Sequence, residues 1–161
     1  MSTKALVFFS RNGSTKLAAT ILAARVDAEL IELKEKKPVK GFLRSGYLAL
    51  KAKSTPLADA PWEKCADKDI LILGTPIWAA HGTPAMNAFL DGVDLQGKKV
   101  YIFTLQADPE KRDSKAVFQY LSKRIEEAGG SIGGTLALQG ARPGKTGSAD
   151  HFKSLESWDI I

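Results

Sequence analysis

A chain of 161 residues, 44% apolar and 25% charged, is long enough to bury a sizeable core and reads as one domain over residues 1–161. The single cysteine, Cys65, excludes an intrachain disulfide and any multi-cysteine metal or iron–sulfur site, and no apolar run reaches membrane-spanning length. A net charge of +5 with a pI of about 9.3 directs attention to anionic partners.

Residues 5–9 (Ala-Leu-Val-Phe-Phe) form a continuous apolar run, short enough for a strand buried on both faces. Ser10, Arg11, Asn12 and Gly13 make a turn, and Ser14 and Thr15 open a segment of helical spacing with Leu17, Ala18, Ile21, Leu22 and Val26 as its apolar stripe. Such a turn has two readings. It is a phosphate cradle, in which first-turn amides, the positive end of the helix dipole and hydroxyls converge. Equally, it is an ordinary strand-to-helix turn with Ser14 or Thr15 as N-cap. Lys4 precedes only those five apolar residues, which is not a signal-peptide pattern; with the lone thiol, this predicts a cytoplasmic protein.

Residues 29–33 read as a second strand of alternating type, and 39–53 as a partly amphipathic helix carrying Phe42, Leu43, Gly46, Tyr47 and Leu50. Between 34 and 53, seven cations (Lys34, Lys36, Lys37, Lys40, Arg44, Lys51, Lys53) face one acid, Glu35. That run is a solvated face, or a surface for an acidic protein or an anionic membrane; no nucleic-acid motif accompanies it. A loop at 54–61 leads to the clearest buried strand, 69–74, which ends in the polar and aromatic loop 75–83. Thr83 and Pro84 suit the cap and first turn of a helix to about residue 90. A strand at 99–104 follows, then a loop through Arg112. Asp113 caps a helix bearing Val117, Phe118, Leu121, Ile125 and Ala128, which Gly129-Gly130 ends. Residues 132–139 form a fifth strand weakened by Gly133 and Gly134, and a glycine-rich loop at 140–147 leads to a short last helix with Phe152, Leu155 and Trp158.

Strands alternating with helices predict a parallel sheet covered on both faces. Ligands of such a sheet bind beyond the carboxyl ends of its strands, where strand order reverses. The loops there are 10–15, 75–82, 105–112 and 140–147. The first offers hydroxyls and amides and the second an indole, Trp78, with His81. A cradle beside a flat aromatic suits a phosphorylated planar ligand.

With those residues in place, the chain resembles the flavodoxin family over about residues 4–140. Ser10-Arg11-Asn12-Gly13-Ser14-Thr15 resembles the family's FMN phosphate loop. Thr75-Pro76-Ile77-Trp78-Ala79 resembles the second flavin loop, whose aromatic packs on the isoalloxazine, and Leu105-Gln106-Ala107-Asp108 sits where the third belongs. The resemblance implies an α/β three-layer sandwich with a five-stranded parallel sheet of order 2-1-3-4-5, in the short-chain form. It also implies FMN as cofactor and electron transfer with a redox partner protein, an acidic one given the basic charge. An NAD(P)H- or quinone-linked FMN oxidoreductase and a flavin-free binding module remain the alternatives. The chain departs from the family where electron carriers are typically acidic, in lacking an aromatic after Phe103 in the third loop, and in its long lysine-rich link between second and third strands. Ala79 also stands where many flavodoxins have Gly, a position at which left-handed backbone costs an alanine roughly 1–2 kcal/mol.

Other constellations carry less. The segment 140–146 (Gly-Ala-Arg-Pro-Gly-Lys-Thr) falls one residue short of a nucleotide P-loop, with Gln139 in place of the first glycine. His81 is either a proton donor or a partner of its own loop, and with no carboxylate in that loop the second reading is favoured. Arg11 and Lys16 flank the phosphate loop and could add Coulomb attraction. His81 and His151 make no metal-ligand spacing, and Cys65 reads as a buried, inert thiol.

Overall fold

The apolar run near the start of the chain becomes β1, Lys4–Phe8, the strand about which the sheet reverses order. The computed structural model describes residues 2–11, 13–37, 41–51, 53–140 and 149–161. β1 pairs in parallel with β2, Glu29–Glu32, on one side and β3, Ile70–Pro76, on the other. β4, Lys99–Gln106, and β5, Ser131–Gln139, extend the sheet beyond β3, giving the order 2-1-3-4-5 with every pairing parallel. The fold is flavodoxin-like α/β.

Parallel pairing demands crossovers, and four helices lie on them: α1 Ser14–Val26, α2 Phe42–Leu50, α3 Pro84–Gly92 and α4 Ser114–Glu127. Alternation along the strands divides the core into two layers. Ala5, Val7, Leu71, Leu73, Val100 and Ile102 pack with Met86 and Phe89 of α3 and Leu121 of α4. On the opposite face Leu6, Phe8, Ile72, Tyr101 and Phe103 pack with Ala18 and Leu22 of α1 and with Phe152 and Leu155. Each fully buried Leu, Ile or Phe stabilises the fold by about 1.5–3 kcal/mol, so the central strands anchor the carboxyl-edge loops firmly.

The details differ from the sequence reading in instructive ways. The stripe of α1 is rotated: Ala18, Ala19, Leu22 and Ala23 are buried, while Leu17, Ile21 and Val26 cover the rim. Small side chains let this helix approach the sheet closely. The segment that ends with Glu156 is a kinked 3-10 element, Ala149–Glu156, rather than a regular helix. A 3-10 turn at Pro61–Cys65, within and beyond the expected loop, precedes β3. Lys98 is buried beside it and its Nζ donates to the carbonyls of Ala66 (3.1 Å) and Lys68 (2.6 Å). Gly133 does more than weaken β5. The register jumps from Val100–Ile132 to Tyr101–Gly134, leaving Gly133 as a bulge, and a Cβ there would stand 2.5 Å from the buried Tyr101 ring.

α2 spans less than the predicted 39–53; Leu43 and Tyr47 are exposed and Ser45 is buried, while Phe42, Gly46 and Leu50 lie outside the residues whose burial is described. Val39 and Lys40 lie outside the described residues, as do residues 141–148, which hold most of the P-loop-like segment. Among the described residues, no helix is long and apolar enough to cross a membrane.

Candidate functional site

Three predicted loops leave the carboxyl ends of adjacent strands β1, β3 and β4, so the sheet order brings them together. The first leaves β1. Gly13 is the N-cap of α1 at φ 92°, a left-handed geometry that glycine adopts without Cβ strain, so neither Ser14 nor Thr15 is the cap. Gly13 has no side chain with which to cap the helix, and no acidic residue sits in its first turn to offset the positive dipole. The Ser10 hydroxyl accepts from the Gly13 amide at 3.1 Å, which folds the loop back over itself. Ser14 and Thr15 are buried at the head of the helix. Asn12 lies outside the described residues.

The flanking cations separate. Lys16 pairs with Glu32 at 3.5 Å, across to the end of β2. Arg11 turns toward the second loop: its Cζ lies 4.3 Å from the centre of the Trp78 ring, and its Nη2 donates to Ser45 Oγ of α2 at 2.6 Å. Sequence reading gave no sign of this bridge, because it joins positions 34 apart.

Thr75 and Pro76 end β3, and the Thr75 hydroxyl lies 3.2 Å from that of Thr83. Thr83 caps α3 as expected, accepting from the Met86 amide. Ile77 donates its amide to the Leu105 carbonyl at 2.9 Å, stitching loop two to the end of β4. Trp78 is half-buried, with its ring edge-on to Phe9 at 5.6 Å and 81°. Trp78 and His81 exchange both backbone hydrogen bonds at 2.8 Å, so Ala79 and Ala80 form the tip of a two-residue turn at φ 48° and 61°. Both signs are those of a type I′ turn, whose usual residues are Asn and Gly. His81 Nδ1 donates to the Ala79 carbonyl at 2.7 Å, which fixes the tautomer and satisfies the ring within its own loop.

In the third loop Leu105 is buried, Gln106 and Asp108 half-buried and Ala107 exposed. Gln106 Nε2 donates to Asp113 at 2.5 Å and the Asp113 amide donates back to Gln106 Oε1 at 3.3 Å. Asp113 thus occupies the N-cap position of α4 without a side-chain cap bond, contrary to the expected capping role. Asp108 accepts from Arg112 Nε at 2.7 Å and from the Glu110 and Arg112 amides, and the Arg112 hydrogen bond holds its carboxyl below the usual carboxylate range. One floor below, Thr104 is paired in register with Thr75; its buried Oγ1 has no hydrogen-bond partner among the described residues. A cavity of about 370 Å³ bordered by Trp62, Ala88 and Asp91 runs along α3 and contains none of these loop residues. Among the described residues no His, Cys, Asp and Glu group has metal-binding geometry.

The sequence model of the flavodoxin family matches residues 4–120. The chain belongs to the flavodoxin family. Solved structures agree at the level of the fold. A protein from Bacteroides eggerthii assigned as a flavoprotein superposes with a TM-score of 0.77 at 19% identity, over 98% of this chain and 96% of its own. A flavoprotein from Lactobacillus acidophilus in complex with FMN gives 0.69 at 18% identity, over 85% and 93%. Oxidised flavodoxin 1 of Bacillus cereus gives 0.62 at 18%, over 97% and 93%. No curated protein matches the sequence. The residues present fit a flavin: a helix N-terminus headed by Gly13, Ser14 and Thr15 suits a phosphate, and an indole in the adjoining loop suits a flat ring.

Proposed function

We propose that this flavodoxin-family protein binds FMN non-covalently and carries electrons to or from a protein partner in the cytoplasm. The observation that carries the reading is the juxtaposition, at the β1/β3 junction, of the glycine-headed N-terminus of α1 with the Trp78 loop. Ser10, Arg11, Asn12, Gly13, Ser14 and Thr15 are assigned to the phosphate. Thr75, Pro76, Ile77, Trp78 and Ala79 border one side of the ring, and Leu105, Gln106, Ala107 and Asp108 the other. FMN, when bound, supplies the redox chemistry itself. The protein's tasks are then to neutralise the phosphate, offer a flat apolar surface and exclude water. Arg11 serves the first task as a cation of the phosphate loop, and its guanidinium also contacts the indole that serves the second. The finding of one cysteine supports a reducing compartment.

Titration with FMN and riboflavin tests the assignment. Thr15→Val removes a hydroxyl donor to a charged acceptor, a loss on the order of 1.5–3 kcal/mol, or about tenfold or more in FMN affinity, with little change for riboflavin. Trp78→Ala is expected to weaken both ligands by on the order of 1–3 kcal/mol, if base–aromatic stacking is the guide. Equal losses for both ligands in Thr15→Val would remove the phosphate from this loop. Anaerobic bleaching of the bound flavin by NADH or NADPH alone turns the assignment to an oxidoreductase, and a protein that binds no flavin to a binding module.

A further inference from the structure

We propose that the outward face of α2 is the docking surface for an acidic protein partner, and that Ser45 and Arg11 connect its occupation to Trp78. The inference deepens the electron-carrier reading and rests on it for the partner's purpose. Its starting point is the pair of large apolar side chains that α2 leaves in water. Leu43 is 86% exposed and Tyr47 58% exposed, one turn apart on the same face, while the polar Ser45 is buried. Leaving Leu43 and Tyr47 in water forgoes the burial that gives most amphipathic helices their stability. The cations surround this apolar centre in sequence: Lys36, Lys37, Arg44, Lys51 and Lys53 are all exposed, and none is in an ion pair among the described residues. The neighbouring acid, Glu35, is already engaged by the Thr55 hydroxyl at 3.0 Å.

An apolar centre with a charged rim is the anatomy of a protein–protein interface, and Tyr and Arg are residues that carry binding energy there. Charge complementarity identifies the occupant. A second copy of this chain would bring like rims together, which opposes association. A membrane offers negative charge, but among the described side chains of α2 only Leu43 and Tyr47 are large, apolar and exposed, which gives little to insert. An acidic protein surface with an apolar spot satisfies both features.

The buried side of the helix explains why docking here matters to the site. Ser45 Oγ donates to the Gly41 carbonyl at 2.9 Å and accepts from Arg11, so Ser45 is a relay between the helix backbone and the guanidinium above Trp78. A partner that shifts α2 therefore shifts the cation over the indole. Arg11 and Ser45 are positioning residues in this account.

The test uses the full chain, with and without FMN, and three probes: a synthetic Glu-rich peptide with one Leu and one Phe, vesicles of phosphatidylcholine and phosphatidylserine, and the protein alone at rising concentration. The expected result is peptide binding that weakens several-fold, roughly as screening predicts, from low to physiological salt. Leu43→Ser with Tyr47→Ser is expected to reduce it about tenfold or more while FMN affinity stays unchanged. Peptide binding should also move the Trp78 indole N–H resonance, and Ser45→Ala should abolish that movement while the peptide still binds. Tighter binding to vesicles than to peptide, self-association through this face, or peptide binding indifferent to Leu43 and Tyr47 would overturn the docking proposal. A Trp78 resonance that moves equally in Ser45→Ala would overturn the connection. Because FMN affinity is read separately, absence of flavin binding with intact peptide binding counts against the carrier reading and not against the surface.

Discussion

Ala79 and Ala80 hold the tip of the Trp78 loop in the left-handed region, at φ 48° and 61°, where each Cβ crowds the following carbonyl at a cost of roughly 1–2 kcal/mol. The turn persists because the paired Trp78–His81 amides and carbonyls and the His81 imidazole over-determine it. Ala79→Gly relieves the strain at one position, but glycine loses about 0.4–1 kcal/mol more entropy on folding. The net expectation is a gain of up to about 1 kcal/mol, read as a rise in Tm of about 2–4 °C for a chain of this size. A fall in Tm would show that the turn is not strained at Ala79. Cys65 carries the opposite message. It is fully buried, its Sγ faces the Pro61 carbonyl at 3.5 Å, and burial pushes its thiol from 9.0 up to about 11. The thiolate fraction at neutral pH therefore falls about a hundredfold, and iodoacetamide should react more slowly than with the unfolded chain by at least that factor. The raised value also means that Cys65 supports the fold fully below pH 9 and loses that contribution as pH climbs toward 11, because only the unfolded thiol ionises there. Native alkylation as fast as in the unfolded chain would refute the burial argument.

Elements were legible where the deciding interactions are local. Unbroken Ile-Leu-Ile-Leu before Gly74 can only be a strand buried on both faces, and Thr83-Pro84 marks a helix start by cap and first-turn chemistry alone. The three loops that form the candidate site were equally legible, since strand alternation fixes which loops share the carboxyl edge. What failed depended on partners distant in sequence. α1 buries Ala19 and Ala23 beside the expected Ala18 and Leu22 while Leu17, Ile21 and Val26 are only partly buried, a rotation that nothing in its own spacing states. α2 has apolar periodicity, but two of the residues that carry it, Leu43 and Tyr47, face solvent, which spacing alone does not state. The Asp113 side chain is drawn from its capping role by Gln106, and Gly133 proves to be space for a ring on another strand rather than a weak point. Arg11 shows the same dependence at the site: its contacts with the Trp78 indole and with Ser45 on α2 join residues far apart in sequence.

At the scale of the molecule, the two core layers hold β1, β3 and β4 rigid, while the proposed ligand contacts lie on loops springing from their carboxyl ends. A ligand held by several loops at once binds only the folded chain, because unfolding scatters residues 10–15, 75–79 and 105–108. Binding must then appear as stability. For one site, the gain is RT ln(1 + [L]/Kd), about 2.7 kcal/mol at a hundredfold excess over Kd. With a shift of about 2–4 °C per kcal/mol for a chain of this length, FMN at that excess should raise Tm by about 5–11 °C. Riboflavin at the same concentration lacks the phosphate that the head of α1 is assigned to hold, so it should give a clearly smaller rise. Thr15→Val should bring the two rises closer together by lowering the FMN shift. Leu43→Ser with Tyr47→Ser should leave the difference between ligands unchanged, because both side chains are exposed on α2 and the described bond from α2 to Arg11 is made by Ser45. Differential scanning fluorimetry is unsuited to a coloured, fluorescent ligand, so circular dichroism at 222 nm is the measurement of choice. Equal shifts with FMN and riboflavin in the wild type would mean that the ring alone is recognised, and the glycine-headed end of α1 would return to being an ordinary strand-to-helix turn.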